Sequence, residues 1–140
     1  MKDAPKRLQR LPSWLLSHAA LTGDRLVSEA LAAEGVRKYH FRVLVALEDD
    51  GPLSQADLGR RLAIDRSDMA AVAAELEQRD FIARTRDDRD RRRNVVTITA
   101  AGAEALARMD AAIDTAQATL LAPLTKQERE QLTRLLARLT

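Results

Sequence analysis

Apolar positions recur at helical spacing along most of the chain and give way to alternation in one place only. Trp14, Leu15, Leu16, Ala19, Leu26, Val27, Ala30 and Leu31 supply the apolar faces of a first helix that runs to about residue 33. Pro12-Ser13 opens it, and Ser13 is placed to cap it. After Gly35, the residues Val36, His40, Val43, Leu44 and Leu47 share one face of a second helix, which Asp49-Asp50-Gly51-Pro52 stops. Two short helices follow. Ser54 caps the first, with Asp57 at its third position and Leu53/Leu58 as a hydrophobic staple; Asp65 caps the second, with Asp68 at its third position and Ile64/Met69 as the staple. Leu58 and Leu62, then Met69, Val72, Ala73 and Leu76, mark the buried stripes. Two capped helices joined by so short a turn have the geometry of a helix-turn-helix.

Alternation then takes over. Asp80 stands where a glycine would usually turn the chain, and aspartate tolerates the left-handed conformation better than most residues. Ile82–Thr85 and Val95–Thr99 are short and β-branched, and read as two strands of a hairpin, a "wing" on the helix-turn-helix. Thr99 caps a long helix to about Leu121, in which Leu106, Met109, Ile113, Ala116 and Leu120 step as a heptad seam. The seam suits a partner helix and also packing within the chain against Leu132, Leu135, Leu136 and Leu139 of a last helix that the capping box Thr125-Lys126-Gln127-Glu128 begins, because a long amphipathic helix has two sides to cover. The fold class expected is mainly α with a small β-hairpin wing, in one domain with two lobes.

Composition narrows the chemistry. The 140 residues contain no cysteine, which excludes disulfides, thiolate zinc sites and cysteine redox sensing. Aromatic residues make up 3%, too few to build stacking platforms for single strands. No uncharged stretch approaches a membrane span and the first residues lack a secretory apolar run, so a cytoplasmic protein with no membrane partner is expected. Net charge is only +2, but it is unevenly placed. Residues 84–93 hold six arginines against three aspartates, and Lys2, Lys6, Arg7 and Arg10 lie near the start. Arginine forks suit phosphate oxygens and narrow minor grooves. No phosphate loop, nucleophile elbow or metal-ligand spacing is present, so neither enzyme, cofactor nor metal site is expected.

The run Asp90-Arg91-Arg92-Arg93-Asn94-Val95-Val96-Thr97-Ile98-Thr99-Ala100-Ala101-Gly102, set after these helices, resembles the wing pattern of the MarR family of winged helix-turn-helix transcriptional regulators. The resemblance extends from about Ser13 to Leu139. It implies a winged helix-turn-helix lobe over 36–99 and a helical dimerisation lobe over 11–34 and 100–140, within a single domain over 1–140. It implies that Asp90 holds Arg92 by a salt bridge and that Arg92 enters the minor groove. Ser54–Gly59 matches the positioning helix and Asp65–Arg79 the recognition helix. On those positions Ser54, Gln55, Arg66, Ser67 and Asp68 become candidate contacts to bases or phosphates, with Ala71 available to thymine methyls. Arg60, Arg61, Arg86, Arg89, Arg91 and Arg93 become candidate phosphate contacts. Ala70 and Ala71 depart from the polar residues common in the family's recognition helices, and Asp80 from its usual glycine.

The function implied is a sequence-specific regulator of transcription, a repressor, binding a pseudo-palindromic double-stranded operator as a homodimer and released by a small phenolic or anionic effector. Trp14, His18, Arg37, Tyr39 and His40 are candidates for that effector's site; packing for Trp14 and a hydrogen-bonded core role for His40 are the competing readings. The alternative function is a winged-helix protein-interaction module without a specific operator.

Overall fold

A computed structural model describes residues 3–140, so Lys2 lies outside the described residues. After a 3-10 turn at Leu8–Arg10 come α1 (Pro12–Ala33), α2 (Lys38–Asp50), β1 (Leu53–Ser54), α3 (Gln55–Leu62), α4 (Arg66–Gln78), β2 (Ile82–Arg86), β3 (Asn94–Ile98), α5 (Ala100–Leu120) and α6 (Lys126–Ala137). The chain is thus mainly helical with a small antiparallel sheet.

Local chemistry explains most boundaries. Ser54, Asp65, Thr99 and Thr125 each accept a backbone N–H three residues on, capping α3, α4, α5 and α6. Ser13 does not cap α1. The cap position is Leu11, and Pro12 at the first helical position starts the helix because its fixed φ is helical and it has no N–H to satisfy. Ala63 and Asp80 take positive φ, 53° and 60°, at the ends of the two short helices.

The sheet has a third strand that alternation does not reveal. Leu53 and Ser54 pair with Val96 and Val95, giving the order β1-β3-β2. Two residues are too few to show a period. Strands β2 and β3 pair from Ile82–Ile98 to Arg86–Asn94, so the arginine–aspartate run forms the hairpin tip. Gly102 lets the sheet meet α5: a Cβ there would lie 2.0 Å from the Phe81 carbonyl oxygen.

One core runs through the helices and the sheet, with Leu31, Val43, Leu44, Leu58, Met69, Leu76, Val96, Leu106 and Met109 buried. The α5 seam is occupied within the chain by α1, not by α6. Leu106, Met109 and Ala116 are buried, and the two helices come close where Gly23 faces Leu120. Packing of the seam against Leu132–Leu139 is therefore incorrect. Helix α6 swings away after a turn fixed by the Arg129 guanidinium, which donates to the Leu121 and Leu124 carbonyls, both at 3.1 Å. Leu135, Leu136 and Leu139 are left exposed, the last at 71%. No helix among the described residues is long and apolar enough to cross a membrane.

Candidate nucleic-acid interface

The helix-turn-helix is rigid at its joint. The Ile64 N–H donates to the Gly59 carbonyl at 2.9 Å, and a side chain at Gly59 would crowd the Ile64 carbonyl at 3.0 Å. With Met69, Val72, Ala73 and Leu76 turned into the core, α4 presents Arg66, Ser67, Asp68, Ala70, Ala71 and Ala74 outward. That face is polar in the first turn and again at Glu77 and Gln78, with exposed alanines between. Asp65 caps the helix through the Asp68 N–H, and the neighbouring Asp65 carboxylate raises the Asp68 carboxyl above its ordinary range.

The wing is organised by its own aspartates. Asp90 Oδ1 accepts from the Arg92 N–H at 3.0 Å and from Arg92 Nε at 3.2 Å, which aims a side chain that is 92% exposed. Asp87 Oδ1 accepts the Arg89 N–H at 2.9 Å, and the Asp87 and Arg93 backbones close the tip. Acidic residues within a basic loop shape it here; they do not merely neutralise it.

Two arginines fasten the wing to the helix-turn-helix. Arg93 Nη2 donates to the Ser54 hydroxyl at 3.0 Å and approaches Asp57 Oδ2 at 3.4 Å. Asp57 also pairs with Arg60 at 2.5 Å; hydrogen bonds from Ser54 and Arg60 hold its carboxyl below the usual range. Arg84, which lay outside the candidate set, forms a two-pronged pair with Glu77 at 3.0 and 2.9 Å and reaches Gln55 Oε1 at 3.4 Å. That pair holds the Glu77 carboxyl low and the guanidinium high. No helical or strand period links positions 77, 84 and 55, so only the folded chain unites them.

The structure therefore divides the candidates. Ser54 is 5% exposed and its hydroxyl is engaged twice, which makes it an organiser of the surface. Gln55 and Arg93 share that task. Arg61 pairs with Asp50 at 3.0 Å. Arg66, Arg86, Arg89 and Arg91 make no ion pair within the chain among the described residues. A cleft of about 560 Å³ between α3, α4 and the wing is lined by Arg60, Arg66, Arg92 and Arg93, so the start of α4 and the wing arginine face one space.

The five effector candidates fall into two groups. The Trp14 and His18 rings meet tilted on α1, centroids 4.1 Å apart, with His18 Nδ1 3.0 Å from the Trp14 carbonyl and the indole N–H buried without a partner among the described residues. Arg37 and His40 bind Glu75, and Tyr39 lies beside the Arg42 guanidinium, 5.8 Å from the ring centre. None of the five lines the cleft above or a second one of about 320 Å³ between α2 and α3.

Fold and site together define a winged helix-turn-helix protein with an arginine-tipped wing. A family model described as MarR family matches residues 35–93. The putative transcriptional regulatory protein for the hcr operon of Thauera aromatica is 34% identical over 106 residues, which are 76% of this chain and 64% of that protein. The chain thus spans just under two thirds of that relative's length. Among solved structures, a probable transcriptional regulator from Pseudomonas aeruginosa matches with a TM-score of 0.82 at 33% identity, covering 95% of this chain and 99% of that one. The transcriptional repressor CouR, bound to a 23-mer DNA duplex, matches with a TM-score of 0.86 at 27% identity, covering 96% and 95%. The chain belongs to the MarR family.

Proposed function

We propose that this protein is a cytoplasmic, sequence-specific repressor that binds a pseudo-palindromic operator as a homodimer. The observation that carries the reading is Arg92: held by Asp90, almost fully exposed, and facing the same cleft as Arg66 at the start of α4. Arg66, Ser67 and Asp68 enter the major groove, Ala71 meets thymine methyls, and Arg92 enters the adjacent minor groove. Arg86, Arg89 and Arg91 contact phosphates, with Arg60 and Arg61 approaching the backbone from α3.

A single module of this size buries only about 600–1,000 Å², so two copies are needed for tight operator binding. Residues 36–99 form the DNA-binding lobe, and 11–34 with 100–140 the dimerisation lobe. Exposed Leu11 at the cap of α1, Leu15, Leu16 and Leu21 on it, Leu135 and Leu136 on α6 and Leu139 just beyond it support that division. A small phenolic or anionic effector that favours one recognition-helix spacing releases the operator. The half-buried Trp14 beside His18, whose indole N–H meets no partner among the described residues, is the feature that best supports a site on α1.

The test is protection mapping and gel shift on the DNA flanking the gene, with wild type and Arg92→Ala. A discrete two-fold footprint that the variant weakens is the expected result. Only salt-fragile, sequence-indifferent binding would return the chain to a protein-interaction role.

A further inference from the structure

The turn between α1 and α2 is tied to two other elements, α4 and α5, and a buried histidine sits beneath it. Glu34 lies 4.0 Å from Arg108 of α5, and Lys38 pairs with Asp24 of α1 at 3.2 Å. Arg79, just after α4, donates to the Gly35 carbonyl at 2.7 Å. Arg37 Nη2 and His40 Nε2 both meet Glu75 Oε2, at 2.5 Å each. Helix α4 is the recognition helix, so its inner end is strapped to the point where the helical lobe hands over to the helix-turn-helix.

The hydrogen-bond pattern assigns the proton on the ring. His40 Nδ1 accepts the Arg37 backbone N–H at 3.0 Å, closing the first turn of α2. Nδ1 therefore carries no hydrogen, and Nε2 carries the one that the Glu75 carboxylate accepts. His40 is 6% exposed, so it can neither exchange these partners for water nor turn freely. A second proton could enter only at Nδ1, where it would face the Arg37 N–H, donor against donor.

Resting on the reading of this protein as a DNA binder, we propose that His40 is a positioning residue for that activity: neutral and protonated at Nε2, it couples the start of α2 to the recognition helix, and a second proton breaks the coupling and weakens operator binding. The charged groups acting on the ring are Glu75 from α4, Arg79 just after it and Arg37 from its own cap; α1 and α5 add none to that set. Burial outweighs the attraction of Glu75 and keeps the ring neutral to lower pH than a free histidine. The sign separates this effect from surface titration. Protonating a group that faces DNA, such as Asp68, removes repulsion from phosphates and strengthens binding, whereas protonating His40 weakens it.

The experiment uses the full chain and a duplex that it enriches from a random-sequence pool at about pH 8. Affinities of wild type, His40→Gln and Glu75→Gln are then followed down through the pH at which the His40 ring, observed by nitrogen NMR, takes up its second proton. Glutamine at the third helical position still accepts the cap N–H but does not titrate. Wild-type affinity should fall, approaching about tenfold per pH unit and protomer below the titration point of His40. The His40→Gln profile, normalised to its own value at the starting pH, should be flat. A wild-type profile that is flat or rises towards acid overturns the proposal, as does a variant that keeps the wild-type profile. A pool without an enriched duplex instead fails the DNA-binding reading. Coupling is then read from amide exchange in α4, which acid should accelerate in wild type and not in His40→Gln; equal exchange in both overturns it.

Discussion

Single side chains in this molecule often serve geometry where their chemistry promises contact. Arg92 and Arg93 are neighbours of identical type, yet one projects from Asp90 into solvent and the other is drawn back to Ser54 and Asp57. Arg92→Ala should weaken operator binding by about 1–3 kcal/mol per half-site in gel shifts. Gly102 has the opposite character, mattering for what it lacks. Gly102→Ala would push a methyl into the Phe81 carbonyl, and because that neighbour is backbone it cannot turn aside. A loss of about 3 kcal/mol in urea unfolding is expected. His40 ties stability to pH. Its folded titration point lies below the unfolded value of about 6.5, so the unfolded chain takes up protons that the folded ring refuses. Stability should therefore be highest above that pH and fall as acid is added through it. Thermal melts of wild type against His40→Gln check this.

At the scale of elements, the wing is docked and not merely tethered. Arg84 joins β2 to the end of α4 and the start of α3, while Arg93 joins the tip to the cap of α3. Counterion release distinguishes such struts from phosphate contacts. Arg91→Ala should lower the slope of log affinity against log salt by about one per protomer. Arg93→Ala should weaken binding with little change in slope, because it moves the wing without leaving a phosphate uncontacted. Titrations at several salt concentrations separate the two. An equal fall in slope for Arg93→Ala would place that guanidinium on a phosphate after all.

For the whole molecule, the uncovered leucines at α1 and α6 are apolar surface that an isolated chain leaves in water. Each leucine removed from water contributes up to about 2 kcal/mol, which gives two-fold association a clear driving force. Leu135→Glu with Leu139→Glu should shift sedimentation towards the monomer and lower operator affinity with it. Far-UV circular dichroism should be nearly unchanged, because neither leucine lies in the core.

Much of this was decided locally and could be read from the chain. Caps at Ser54, Asp65, Thr99 and Thr125, the apolar stripes of α2 and α4 and the positive φ at Asp80 all depend on residues within a few positions of one another, and the Asp90–Arg92 pair, expected from the family resemblance, is equally local. Other features depend on groups far apart in sequence: β1 beside β3, α1 in place of α6 along the α5 seam, Arg84 on Glu77 and Gln55, and His40 on Glu75. Short-range spacing sets which faces are apolar and which termini are capped. It leaves open which face meets which, because aliphatic surfaces are interchangeable partners and an arginine can reach any carboxylate that the backbone carries within range. Packing made those choices, and in making them turned several residues suited to DNA into the struts that hold the others in place.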